Sequence, residues 1–130
     1  MPKLTVDEQQ ALLTEPGIVM RIGVVDENGA PYVTPIWFWY EEGCVFFTPR
    51  QKSAWFDCLK RDPRVSLCID EQALPYRKVL VNGVAELQFD VGSDALWRST
   101  YRQMAAKYVG PSGAEKYVSD TIDQPRALFR

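Results

Sequence analysis

The sequence predicts one α+β domain, mainly antiparallel β. Three observations lead there. Short apolar runs with loose period-two alternation, such as Ile18–Val25 and Val65–Asp70, recur between turn signals. Two connections are tight turns, Asp26-Glu27-Asn28-Gly29 and Glu41-Glu42-Gly43, which bring neighbouring strands back antiparallel. Segments with capping boxes and helical spacing are inserted among the strands. A small β-barrel and an open α+β layer arrangement both satisfy this pattern.

In chain order, Thr5 followed by Glu8 reads as a capping box that starts a helix through about Leu13, and Glu15-Pro16-Gly17 breaks it. Ile18–Val25 is a strand. Pro31–Tyr40 is the next, and Cys44–Thr48 pairs back on it, giving a three-stranded meander. Gln51–Arg61 is expected as a helix with Trp55, Phe56 and Leu59 on one face, ended by Asp62-Pro63 because proline cannot continue the ladder. Val65–Asp70 is a strand. Tyr76–Phe89 reads as one long strand with a bend or bulge at Gly83. Ser93 or Asp94 caps a helix reaching about Tyr108, with Trp97, Tyr101, Met104 and Tyr108 as a packing stripe. Ser112 and Glu115 box a short helix through about Val118, and the PRALFR tail adds a final short strand.

In total the chain has 130 residues, 46% of them apolar and 25% charged, enough for one core and usual for a globular protein. With a net charge of −2 and mixed signs, nothing points to a nucleic-acid surface. No apolar stretch approaches a membrane span, and MPKLTVDEQQ lacks the apolar core of a signal peptide, so a cytoplasmic location is expected. Cys44, Cys58 and Cys68 are far apart among apolar neighbours, a spacing that fits neither a zinc site nor a disulfide framework. There is no histidine. That removes His-dependent triads, His metal sites and the commonest general base, so any enzyme built on this chain does chemistry needing little acid–base help.

The most informative stretch is Pro31–Arg64. In WFWY, Ile36, Phe38 and Tyr40 face one way and Trp37 and Trp39 the other. Both faces are apolar and both need cover. Since one barrel has one inside, the outer face is expected to meet a second copy of the chain. Directly after the aromatic strand come Thr48, Arg50, Gln51, Lys52 and Ser53 at a strand-to-helix junction. Backbone N–H groups at a helix start, with Arg, Lys and hydroxyl donors, form a site for a dianionic phosphate; the same residues also read as a solvated loop with Ser53 as N-cap. Halfway along the neighbouring strand, Val33, Thr34 and Pro35 offer backbone groups to the edge of a heterocycle, or mark an edge strand or bulge. Trp37 is either an aromatic wall for such a ring or a core residue.

The co-linear set PIWFWYEEGCVFFT, LKRDPRVSLCID and PYRKVLVNGVAEL resembles the pyridoxamine 5′-phosphate oxidase-like flavin-binding split-barrel superfamily over roughly residues 8–90. The ending YVGPSGAEKY…PRALFR is similar to endings in one of its small-protein branches. The resemblance implies a six-stranded split β-barrel with peripheral helices and a homodimer with two cofactor sites at the subunit interface. It implies FMN or a deazaflavin coenzyme, with ring contacts at Val33, Thr34 and Pro35, and phosphate contacts at Thr48, Arg50, Lys52 and Ser53. The implied function is hydride transfer between FMN and a small organic substrate; a deazaflavin-dependent reductase and a non-catalytic dimeric flavin- or ligand-binding barrel are the alternatives. Absence of histidine agrees, because a flavin carries the hard chemistry itself. The chain departs from the family at Trp55, where members commonly carry a basic residue, and at Cys58, where many have Asn. Lys52, one helical turn earlier, is the expected substitute cation.

Overall fold

The computed structural model describes residues 3–120 and 125–130; Met1, Pro2 and positions 121–124, which the single-domain expectation over 1–130 takes in, lie outside the described residues. Helix α1 (Val6–Thr14) starts at the expected capping box. The Thr5 hydroxyl accepts from the Glu8 N–H at 3.1 Å, and the Glu8 carboxylate accepts from the Thr5 N–H at 3.0 Å. Strands β1 (Met20–Val25) and β2 (Pro31–Ile36) pair antiparallel across the Asp26–Gly29 turn. The Asp26 carboxylate holds that turn by accepting from the N–H groups of Asn28 and Ala30, and Gly29 supplies the positive φ of 80°.

Six strands were expected and the described residues hold eight, because two long ones are each broken. Pro31–Tyr40 divides into β2 and β3 (Trp39–Glu41), with Trp37 and Phe38 between. A tyrosine causes the break. The Tyr108 hydroxyl accepts from the Phe38 N–H at 3.1 Å and donates to the Ile18 carbonyl at 2.7 Å, supplying the partner a ladder would otherwise provide. Tyr76–Phe89 divides into β6 (Lys78–Val84) and β7 (Leu87–Phe89). The division falls at Ala85 and Glu86, not at Gly83, which keeps register opposite Val65 in the ladder between β6 and β5 (Arg64–Asp70). There the Ala85 N–H leaves the ladder for the Pro63 carbonyl, and Glu86 exchanges backbone bonds with Arg130.

All pairings are antiparallel. One four-stranded sheet has the order β2-β1-β5-β6, while β3 pairs with β4 (Cys44–Phe46), and β7 with β8 (Leu128–Phe129). A bridge between Phe47 and Phe129 joins these two short ladders. The PRALFR tail is thus a strand, as its composition predicts. Helix α2 (Ala54–Arg61) begins three residues later than expected. The cause is that Gln51 donates its N–H to Pro125 and Ser53 donates to Arg50, forming a turn. The helical run α3 (Asp94–Asp120) bends at Gly110, where φ is 77° and ψ 167°, so the two predicted helices are its arms. Glu115, expected to box with Ser112, reaches Arg102 across the bend at 2.7 Å.

Two apolar clusters result. The larger lies between the four-stranded sheet, α1 and α2, and includes Met20, Ile22, Phe38, Phe47, Phe56 and Ile69. The smaller is built on α3 and includes Trp97, Tyr101, Met104 and Leu128. The alternation read in WFWY divides the aromatics between them: Ile36, Phe38 and Tyr40 pack on the first, Trp37 and Trp39 on the second. The cover for Trp37 and Trp39 is therefore α3 of the same chain. These two tryptophans do not call for a second subunit, contrary to expectation, because the C-terminal third folds back over them.

Candidate functional site

A cavity of about 280 Å³ opens at the seam of the two clusters. Its apolar side is Pro35, Ile36 and Trp37 from the end of β2, with Trp55 from the first turn of α2. The polar side is Thr48, Arg50 and Ser53 from the strand-to-helix junction, with Arg126 from the approach to β8; Tyr101 and Tyr117 of α3 close it.

Five of the eight residues expected at a site line this cavity: Pro35, Trp37, Thr48, Arg50 and Ser53. Val33 and Thr34 do not. They sit upstream on β2, an edge of the sheet, and Val33 is 65% exposed. Lys52 is exposed in the turn and is not part of the lining. Trp37 touches two rings, stacked on Tyr108 at 4.9 Å with 4° between planes and tilted on Tyr117 at 4.9 Å. Trp55 is buried and tilts against Phe47 at 6.0 Å, so it belongs to the wall. Ser53 is the N-cap residue of α2, yet its side chain makes no cap hydrogen bond.

Arg126 is the residue sequence reasoning missed. Its Nη1 donates to the Thr48 carbonyl at 2.8 Å, and its guanidinium lies 4.8 Å from the centre of the Tyr101 ring. Its Nε is buried without a hydrogen-bond partner. Burial pushes the Arg126 pKa down, Arg50 adds to that, and Tyr101, Tyr117 and Asp94 act against it. Arg126 faces Arg50 in an antiparallel bridge, fixed by backbone bonds from Gln51 to Pro125 and from Ala127 to Pro49, each 3.0 Å. Tyr117 feels the same charges. Burial opposes its ionisation, but hydrogen bonds with Arg50 and Tyr101 and the charges of Arg126 and Arg50 hold its pKa below the ordinary 10.

A signal for Arg126 existed in the tail. In RALF, Ala127 and Phe129 belong to the first core and Leu128 to the second environment. By alternation, Arg126 shares the side of Leu128 and points toward the tryptophans. Tyr101, by contrast, was hidden inside a helical stripe that reads as packing, and it packs as well as lining the cavity.

The arrangement has an aromatic wall at one end and two guanidiniums with two hydroxyls at the other. Among the described residues no three His, Cys, Asp or Glu side chains group to hold a metal ion. No helix of the described residues is long and apolar enough to cross a membrane.

Comparisons with known proteins agree on the fold. The chain is similar to an F420 reductase structure (23% identity, TM-score 0.68, covering 93% of this chain and 90% of that one). It is also similar to the haem storage protein HutZ of Vibrio cholerae (21%, TM-score 0.72, 99% and 89%). A third likeness is to an FAD-binding protein of Mesorhizobium loti (22%, TM-score 0.63, 98% and 86%). At under 25% identity these likenesses show the fold alone. No curated protein matches the chain. The family model described as Pyridoxamine 5'-phosphate oxidase matches residues 5–130, and the chain belongs to that family.

Proposed function

We propose that this chain is a flavin-dependent oxidoreductase that binds FMN at a homodimer interface and transfers hydride to or from a small organic substrate. One observation carries the reading: the cavity sets two facing arginines with the Thr48 and Ser53 hydroxyls at one end and a stacked tryptophan at the other. Family membership supports it, and so do neighbours named as F420- and FAD-binding. The residues fit the group. The buried, unpartnered Arg126 Nε is a donor in want of an anion. When bound, a flavin supplies the hydride chemistry; the chain's own part is to hold, orient and shield it. Arg50, Ser53 and Thr48 grip the charged end, Pro35 at the end of β2 meets the ring edge inside the cavity, and Trp37 backs the ring. Val33 and Thr34, upstream on β2, meet that edge only in the part of the site that a second subunit completes. Counting β2 with β3 and β6 with β7 as one broken strand each, we read the sheet and the two short ladders as the two parts of a six-stranded split barrel.

Between cofactors, FMN is preferred over a deazaflavin. The polyglutamate tail of the latter wants an extended basic groove, and of the cations on α2 Lys60 is engaged by Asp57 at 3.3 Å and by the Phe56 ring at 4.5 Å. The cavity is just under the range of about 300–1,000 Å³ typical of whole-ligand pockets, which supports completion by a second subunit. For that subunit the outer face of the four-stranded sheet is the better candidate. Val33, Leu80 and Val84 there are 65%, 62% and 63% exposed, around small Gly23 and Ser66.

Visible absorbance of the purified protein and calorimetry with FMN test the cofactor. A colourless protein that ignores added FMN would sink the reading. Sedimentation of a Leu80→Asp/Val84→Asp double variant tests the face: it should run as a monomer while the wild type runs as a dimer.

A further inference from the structure

We propose that Arg50 and Arg126 together form the seat for a phosphate monoester dianion, with Arg126 rather than Lys52 supplying the second positive charge. This rests on the flavin reading for what lies at the ligand's other end; the anion itself is argued from the two arginines.

Three observations converge. First, Arg50 and Arg126 are direct cross-strand partners held in register by two backbone hydrogen bonds. Like charges placed opposite one another destabilise a strand pair, so an ion of opposite sign between them is the natural complement. Second, the local carboxylates do not neutralise them. Among the described residues, no carboxylate makes an ion pair with either guanidinium within 4.0 Å. Asp94 accepts from the Arg126 backbone N–H at 3.1 Å, and Glu115 is spent on Arg102 at 2.7 Å. Third, the orientation of Arg126 is fixed and its side-on edge is left without a partner. Nη1 is tied to the Thr48 carbonyl and the Tyr101 ring lies 4.8 Å from the guanidinium. The edge that grips a phosphate side-on is made by Nε and the other terminal nitrogen, and Nε is the buried atom without a partner. The Ser53 hydroxyl, unused as a cap, lines the same cavity. Helix α2 offers no alternative cation there, since Trp55 takes the first turn and Lys52 stands outside the lining.

Binding of FMN, riboflavin and inorganic phosphate is measured by tryptophan fluorescence and calorimetry on the wild type and on Arg126→Met, Arg126→Lys and Lys52→Met, each checked for native circular dichroism. The wild type should prefer FMN over riboflavin by roughly ten- to hundredfold. Arg126→Met should collapse that preference with riboflavin affinity unchanged. Lys52→Met should leave it intact. Arg126→Lys keeps the charge without the fork and decides the matter if the methionine variant does not fold: it too should lose most of the preference. A preference retained in the Arg126 variants, or abolished in Lys52→Met, overturns the proposal. Equal binding of FMN and riboflavin by the wild type also overturns it and leaves the flavin reading standing. Arg126-dependent phosphate binding without any flavin binding does the reverse. Binding of none of the three removes both.

Discussion

Replacing Tyr108 by phenylalanine should destabilise the fold by about 2–4 kcal/mol, through one oxygen atom. That hydroxyl accepts from the Phe38 N–H and donates to the Ile18 carbonyl, and so holds the point where the second expected strand breaks. Phenylalanine keeps the ring, and the 4.9 Å stack on Trp37 with it, so packing changes little. What is left is a fully buried Phe38 with its amide unpaired and a half-buried Ile18 carbonyl short of a donor. Each orphaned group costs about 1–3 kcal/mol, the carbonyl toward the lower end because water can approach it. An unfolding entropy of about 2.1 cal/mol/K per residue over the 130 residues converts the sum to a Tm loss of about 7–15 °C. Scanning calorimetry at one fixed protein concentration reads it, with Tyr76→Phe as control, since Tyr76 is 53% exposed. A loss below about 3 °C would refute the assignment of the strand break to this hydroxyl.

Other expectations concern charge and the ring end of the site. Burial lowers the Lys107 pKa to about 8 from 10.5, its ammonium lying 3.4 Å from the Phe38 ring centre and donating to the Leu13 carbonyl. Between about pH 8 and 10 the unfolded chain holds a proton the folded chain has released, so stability should rise with pH there. The rise should be about 1 kcal/mol after allowance for partial solvent screening and the cation–π contact. Urea unfolding at several pH values would show it, and Lys107→Met should flatten it; a flat wild-type profile defeats the idea. Burial raises Tyr108 to about 12, giving the opposite slope only above about pH 10. The Asp62 carboxyl, held at about 2 by hydrogen bonds with Arg64, contributes stability that is lost as pH falls through that value. Carboxyl NMR titration should find it returning toward 3.8 in Arg64→Ala, and an unchanged value would contradict the pairing. Trp37→Leu should weaken FMN and riboflavin binding equally, by about three- to tenfold, separating the ring end from the phosphate end. Selective loss of FMN alone would place Trp37 elsewhere.

Much of this was legible in residue patterns, and the failures have identifiable causes. Thr5 with Glu8, Asp26 through Gly29 and Asp62-Pro63 act within a few residues of themselves, so local chemistry located them. The strand breaks were not legible. They depend on Tyr108 meeting Phe38 across 70 positions and on Ala85 meeting Pro63 across 22, and neither partner marks itself in sequence. The two-faced WFWY strand was read correctly as a pattern, yet its cover was assigned to another molecule because the α3 stripe was treated as serving only its own core. At the site, the junction residues Thr48, Arg50 and Ser53 were visible as a cluster. Lys52 was weighted by proximity in sequence, whereas the turn that precedes α2 leaves it outside the cavity. Arg126 came from the opposite end of the chain, and only the register of β8 brings it in.

That register gives the cavity a history as well as a shape. Residues 31–64 carry the aromatic wall and the first arginine, while the cover and the second arginine lie between Tyr101 and Arg126. At synthesis rates of about 5–20 residues per second, the roughly 60 residues between Arg64 and Arg126 take several seconds to follow. Until α3 has followed, Trp37 and Trp39 lack the helix that shields them. A nascent chain therefore passes through a stage with an unshielded, half-built cleft, and on the proposed two-arginine seat only a chain whose C-terminal strand has docked could hold an anion. Under that proposal, loading of a phosphate-bearing ligand would report that folding has finished.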